Sequence, residues 1–207
     1  MIRIRDPIHG SIQLSPGELA VVDDPVFQRL RAIKQLGFTE HAFPGATHNR
    51  FSHGLGAMEI AGQMFDRLLP EAEGRIPAID RARLRQLARL ALLLHDIGHP
   101  PASHASETAM PARAALGLSC FSSVEQAQQA THEDYTVKLL VDGSVGRTIE
   151  QAFGHLDIEG QTVAHLINGR FPSQAERFVV AGVDYAPLLH QLVSGDMDAD
   201  RMDYLQR

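Results

Sequence analysis

Three histidines and an aspartate, His95, Asp96, His99 and His104, follow directly on the apolar run 90–94 of a 207-residue chain. Neutral imidazole and carboxylate are standard ligands for Zn, Fe and Mn, and carboxylate also for Mg. Neighbours on a helix point about 100° apart, so His95 and Asp96 can share one ion only where the helix is ending, as Gly98 suggests. The competing reading is that His95 caps the helix and Asp96 caps the next segment. A buried, uncompensated carboxylate beside leucines costs roughly several kcal/mol, and a cation would offset that directly. His53 shares a helical face with Ala57, Ile60 and Met64, which makes it either a third ligand or a satisfied core histidine.

A fourth candidate is sought in SGDMDADRMDYL, residues 194–205. Its alternating Asp196, Asp198 and Asp200 superficially resemble a calcium loop, but that loop needs Gly at its sixth position and Glu at its twelfth. Arg201 and Arg207 stand there instead. Asp198 is better read as a helix cap, with Asp200, Asp203 and Tyr204 on the first turns; for Asp196 and Asp203 a solvated acidic cap is the alternative.

The elements that must position these residues read as mostly helical. Ile2, Ile4, Ile12 and Leu14 alternate around Pro7 and Gly10, the pattern of a short hairpin or extended arm. Val26, Leu30, Ile33 and Leu36 predict a helix from Pro25 to Gly37, and a second helix begins near Asn49. Asp80 is the expected N-cap of a third, apolar all round at Leu92–Leu94 and stopped by Gly98, Pro100 and Pro101. Ser123–Gln126 and Thr131–Asp134 resemble capping boxes. Further helices are expected over 151–168, over 185–193 and from Asp198.

Composition sets the frame. Hydrophobic residues make up 44% and charged residues 21%, ordinary for a globular chain. The expectation is one domain over 1–207, with a larger protein continuing beyond Arg207, since no cap or breaker precedes that residue. No apolar run approaches a membrane span, and a lone Cys120 excludes an internal disulfide; the cytoplasm is the expected setting. A net charge of −6 gives no reason to expect nucleic-acid binding.

The residues then spell a family. DPIHG at 6–10, FQRLRAIKQLG at 27–37, FPGATHNRFSHGLG at 43–56, HDIGHPPASH at 95–104 and DADRMDY at 198–204 resemble the deoxynucleoside triphosphate triphosphohydrolase branch of the HD-domain phosphohydrolases. That branch includes members joining a sterile alpha motif to the HD domain. Residues 105–190 match only loosely.

The resemblance implies an all-α HD fold with a short N-terminal hairpin or arm. It implies a divalent ion (Mn, Mg, Fe, Zn or Ni) held by His53, His95, Asp96 and Asp200. The implied reaction converts a deoxynucleoside triphosphate and water into deoxynucleoside and inorganic triphosphate. His104 matches the proton donor to the leaving group, and Glu107, usually aspartate in the family, would orient it. His99 and His132, with Glu133 beside it, match histidines lining the triphosphate or a second metal. Arg50 and Arg201 match phosphate-contacting cations, while Gln35, Leu36 and Tyr204 match residues that meet the sugar. Asp23, Gln28 and Arg31 correspond to a guanine-nucleotide activator site at an oligomer interface in some members, although Arg3 and Arg5 nearby differ from that pattern. Pro100 replaces a family glycine. The resemblance also implies a homo-oligomer. Two rival functions are an HD phosphohydrolase acting on nucleoside monophosphates or cyclic nucleotides, and a non-catalytic nucleotide-binding or assembly module.

Overall fold

In a computed structural model, which describes residues 2–74 and 76–207, the chain opens with an antiparallel hairpin of β1 (Ile2–Asp6) and β2 (Gly10–Leu14). Ile12 and Leu14 face the core, and the Asp6 carboxylate accepts the backbone N–H groups of Ile8 and His9 at 2.9 and 3.0 Å, closing the turn. A capping box between Ser15 and Glu18 starts α1 (Pro16–Val22), and Asp24 caps α2 (Pro25–Gln28).

The helix expected over residues 25–37 stops early. After α2 the chain makes one 3-10 turn, Arg29–Ala32, and Ile33 is extended. The Ile33 carbonyl accepts the Arg50 N–H at 2.9 Å, and the Gln35 N–H donates to the His48 carbonyl at 3.2 Å. Pairing with residues 48–50 therefore replaces the helical ladder, and Leu36 is only partly buried.

Asn49 caps α3 (Arg50–Leu68), which packs along α4 (Ala78–Leu94) as the central helix pair. Pro77, not Asp80, holds the N-cap position of α4; Asp80 sits in the first turn and pairs with Arg83 at 3.0 Å. Leu84, Leu87, Leu90, Leu92, Leu93 and Leu94 are all inaccessible to solvent, so the end of α4 is anchored on every side.

Helix α5 (Ser123–Gln126) is capped by a box between Ser122 and Glu125, one residue earlier than expected. Helix α6 (His132–Asp142) starts from the expected box between Thr131 and Asp134 and stops at Gly143. The helix expected over 151–168 is in fact two, α7 (Ser144–Phe153) and α8 (Gly160–Asn168). Asp157 between them adopts a left-handed φ of 57°, Ile158 drops into the core, and a reciprocal Glu159–Thr162 cap restarts the ladder. A small hairpin, β3 (Val179–Val180) with β4 (Val183–Asp184), precedes α9 (Ala186–Val193). Asp198 caps α10 (Ala199–Tyr204), which lies across α3 and α9.

The architecture is all-α with a short N-terminal hairpin, as the sequence implies. Among the described residues no helix is long and apolar enough to cross a membrane.

Candidate metal centre and catalytic groove

The site forms where α3, the end of α4 and α10 meet. His53, in the first turns of α3, is fully buried. Its Nδ1 donates to Asp203 Oδ2 at 2.8 Å, which leaves the Nε2 lone pair facing inward, 2.9 Å from Asp200 Oδ1 and 3.3 Å from His95 Nε2. His95 likewise donates Nδ1–H to the Leu92 carbonyl at 2.7 Å, turning its own Nε2 toward the same point. Asp96 Oδ2 completes the set, 3.5 Å from His95 Nε2 and 3.7 Å from His53 Nε2. Successive tight turns, Ile97 N–H to the Leu94 carbonyl and His99 N–H to the Asp96 carbonyl, bring two adjacent side chains to one side.

This donor set fits a divalent ion. The ring nitrogens of His53 and His95 and a carboxylate oxygen of Asp200 lie within 4.8 Å of one another. Ligands about 2.0–2.2 Å from a common centre are themselves roughly 3 Å apart, close to the separations found. The second hydrogen bond on each imidazole fixes the tautomer that a metal requires. Burial works against the His95 imidazolium, but the charges of Asp96 and Asp200 overcome it and push its pKa up to about 9. Asp96 and Asp200 are held well below the usual carboxylate range, because the facing imidazoles outweigh the burial that would raise them.

Arg50 is only 2% exposed. It forms a short ion pair with Asp96, donates Nε–H to Ser103 Oγ at 3.0 Å and reaches the Gln35 carbonyl at 3.3 Å. In this structure it braces the site.

A second polar group sits on the 3-10 helix Ser103–Ala109 and the start of α6. His99 stacks on His132 with centroids 3.8 Å apart, and His104 stands edge-on to both at 4.7 and 5.2 Å. Glu107 forms a short bond to His132 Nδ1, and its other oxygen lies 3.4 Å from His104 Nδ1. Glu107 therefore serves two histidines and binds His132 more closely than its expected partner. Burial pushes the His99 pKa down to about 4; Asp96, 3.3 Å away but poorly aligned, only partly opposes this, and both ring nitrogens lack a hydrogen-bond partner.

Gly98 sets the spacing between the two groups: a Cβ there would lie 2.0 Å from the His132 carbonyl oxygen and 2.4 Å from the Thr136 nitrogen. Thr136 Oγ1 accepts the Gly98 N–H at 3.1 Å and donates to the His95 carbonyl at 2.9 Å.

His95, Asp96 and Asp200 of the first group and His99, His104 and His132 of the second line one groove of about 340 Å³ together with Gln35, Glu133, Arg201 and Tyr204. The Gln35 Oε1 atom is buried there without a partner. Leu36 is not part of this lining. Asp23, Gln28 and Arg31 lie elsewhere: Asp23 ends α1, Gln28 bonds the Val22 carbonyl and Arg31 Nε, and Arg31 covers the Phe51 ring at 3.6 Å. A larger apolar cavity of about 700 Å³ behind the prolines of the 99–101 loop has His99 as the one imidazole in its wall.

Sequence reasoning left the role of Asp203 open, and it is wholly buried at the back of His53. A signal existed: Asp200 and Asp203 are three apart on a helix and share a face.

The family model described as HD domain matches residues 50–207. The chain belongs to the HD-domain family. This HD domain is 34% identical over 204 residues to an uncharacterized protein of Methanocaldococcus jannaschii, covering 99% of this chain and 32% of that one. It is 46% identical over 101 residues to the deoxynucleoside triphosphate triphosphohydrolase SAMHD1 of Bos taurus, covering 49% of this chain and 17% of that one. A solved phosphohydrolase of Bacteroides thetaiotaomicron superposes with a TM-score of 0.66 at 29% identity, covering all of this chain and 42% of that one. The chain thus spans about a third of the length of the first of these relatives.

Proposed function

We propose that this HD domain hydrolyses deoxynucleoside triphosphates to deoxynucleoside and inorganic triphosphate. The observation that carries the reading is one groove lined both by three of the four candidate metal ligands, His95, Asp96 and Asp200, and by a separate set of histidines, His99, His104 and His132. The partial likeness to deoxynucleoside triphosphate triphosphohydrolases supports the substrate class.

His53, His95, Asp96 and Asp200 would hold the ion. When bound, it supplies positive charge to the α-phosphate and acidifies a water beside it. The remaining work falls to the chain. Water adds at the α-phosphorus as the bond to the 5′ oxygen breaks, and that oxygen needs a proton. His104, on the open rim of the groove with its Nδ1 turned toward Glu107, presents Nε2–H as the donor. His99 is buried and neutral, and its unpartnered nitrogens suit phosphate oxygens or a bridging water. His132 is held by Glu107, and Arg201 adds a cation at the mouth. Gln35 and Tyr204 form the wall against which the sugar rests. Arg50 steadies Asp96 from behind and stands ready for phosphate.

The proposal extends to a homo-oligomer activated by a guanine nucleotide at Asp23, Gln28 and Arg31. Incubating Mn²⁺-loaded protein with each deoxynucleoside triphosphate tests the reaction, with nucleoside and triphosphate in equal amounts as the expected products. Release of phosphate or pyrophosphate alone would overturn the reaction while leaving the metal cluster intact.

A further inference from the structure

The wall behind His53 reaches as far as the N-terminal hairpin. Asp203 accepts three hydrogen bonds: from His53 Nδ1 at 2.8 Å, from Arg207 Nε at 2.6 Å and from His9 Nε2 at 2.5 Å. His9 belongs to the β1–β2 turn, and its side chain is only 7% exposed. A carboxylate only accepts, so His9 carries its proton on Nε2 and His53 carries its own on Nδ1. The turn is built to deliver this imidazole, since Asp6 accepts the His9 N–H and receives Arg207 Nη1 at 3.1 Å through its other oxygen. Arg207 also reaches the Ser52 carbonyl at 2.9 Å, one residue before the ligand. Room for the carboxylate comes from Gly56, where a Cβ would lie 1.9 Å from Asp203 Oδ1. Ile12 and Leu14 already seal the hairpin onto the core, so core packing does not require a buried imidazole at the turn.

We propose that His9 is a positioning residue of the metal centre: through Asp203 it fixes the tautomer and orientation of His53, which makes the hairpin turn a working part of the ion site. The inference rests on the reading of His53 as a ligand. With its Asp203 Oδ1 bond lost, the carboxylate is held only through Oδ2, which His53 and Arg207 share, and can turn about it, so the lone pair on His53 Nε2 is no longer aimed.

Two variants separate positioning from packing. His9→Leu keeps the bulk and loses the donor, whereas His9→Gln keeps an N–H of similar reach. Mn²⁺ dissociation constants are to be measured by calorimetry for both and for the wild type, and the visible absorption of Co²⁺-loaded protein recorded beside them. Outer-shell losses of this type weaken metal binding about 10- to 100-fold. That loss is expected for His9→Leu, with an altered Co²⁺ spectrum, and His9→Gln should recover most of the affinity. Equal affinities and spectra in all three proteins overturn the proposal, even if His9→Leu melts at a lower temperature. His53→Ala is the check on the underlying reading: unchanged metal affinity there means that His53 is no ligand, a failure distinct from that of His9. Should His9→Leu not fold, imidazole ¹⁵N NMR of the wild type decides, because a His9 ring protonated at Nδ1 alone contradicts the geometry.

Discussion

Two of the clusters of charge buried in this domain are built differently. Glu18 and Arg89 are 3% and 4% exposed and meet at 2.6 and 3.2 Å. Gln86 and the Ser15 N–H fill the remaining acceptor positions of Glu18, while the Gln13 carbonyl and Glu59 take two further donors of Arg89. That cluster closes on itself. At the metal centre, two imidazole lone-pair positions face each other at 3.3 Å with two carboxylates around them, and Arg50 is the one permanent cation paired with a ligand there. That cluster turns its ligand-capable atoms toward one another, those of His53, His95 and Asp200 all within 4.8 Å. Buried charge alone therefore does not mark a functional site; what marks it is a set of ligand-capable atoms converging on one another instead of pairing off with fixed partners.

Substitutions should split the two clusters cleanly. The largest effect is expected from His95→Ala, which should abolish both stoichiometric Mn²⁺ binding and hydrolysis, read by metal analysis of the dialysed protein and by product assay. His104→Ala should lower hydrolysis about 10²–10⁴-fold with metal content unchanged, placing that residue in chemistry and outside ligation. Glu18→Ala leaves a buried guanidinium uncompensated and should cost about 3–5 kcal/mol in urea unfolding, with metal stoichiometry intact. If Glu18→Ala also emptied the metal centre, the contrast between the clusters would fail.

The smallest effect separates the clusters by pH, with opposite signs. The folded pKa of Glu18 is lowered, since Arg89 outweighs burial, so its contribution is present above its ordinary value of 4.5 and is lost as pH falls through the depressed one. His95 in the metal-free protein is raised from 6.5 to about 9, so its contribution is complete below 6.5 and fades as pH rises toward 9. An ion competes with that proton, and Mn²⁺ affinity should therefore climb through the same range, as calorimetry at stepped pH would read.

What the sequence disclosed was what is local. Caps such as Thr131–Asp134 and Asp198 act over three residues, and the end of α4 is announced by its leucines and the glycine and prolines after it. The hairpin shows in its alternation. Long-range pairing stayed hidden: nothing near Ile33 says that its carbonyl will take the Arg50 N–H and cut a helix short. The break at Asp157 depends on Ile158 finding a core place that its neighbours do not advertise. The candidate ligands His53, His95 and Asp96 were readable from residue type and helix placement, whereas Asp200 was picked out among its neighbouring aspartates only by the family resemblance. The outer wall of the cluster was not readable, because His9 and Asp203 are 194 positions apart and meet only in the folded chain.

Gly98 has a consequence for how such a domain can diversify. Between the candidate ligand pair and His132, the main chain at Gly98 leaves no room for a side chain against the His132 carbonyl and the Thr136 nitrogen. The span from His95 and Asp96 to His132 is thus a fixed gauge of the scaffold. New substrates must be accommodated by the walls, at positions such as Gln35 and Tyr204, and a saturation library should find position 98 closed to every residue but glycine.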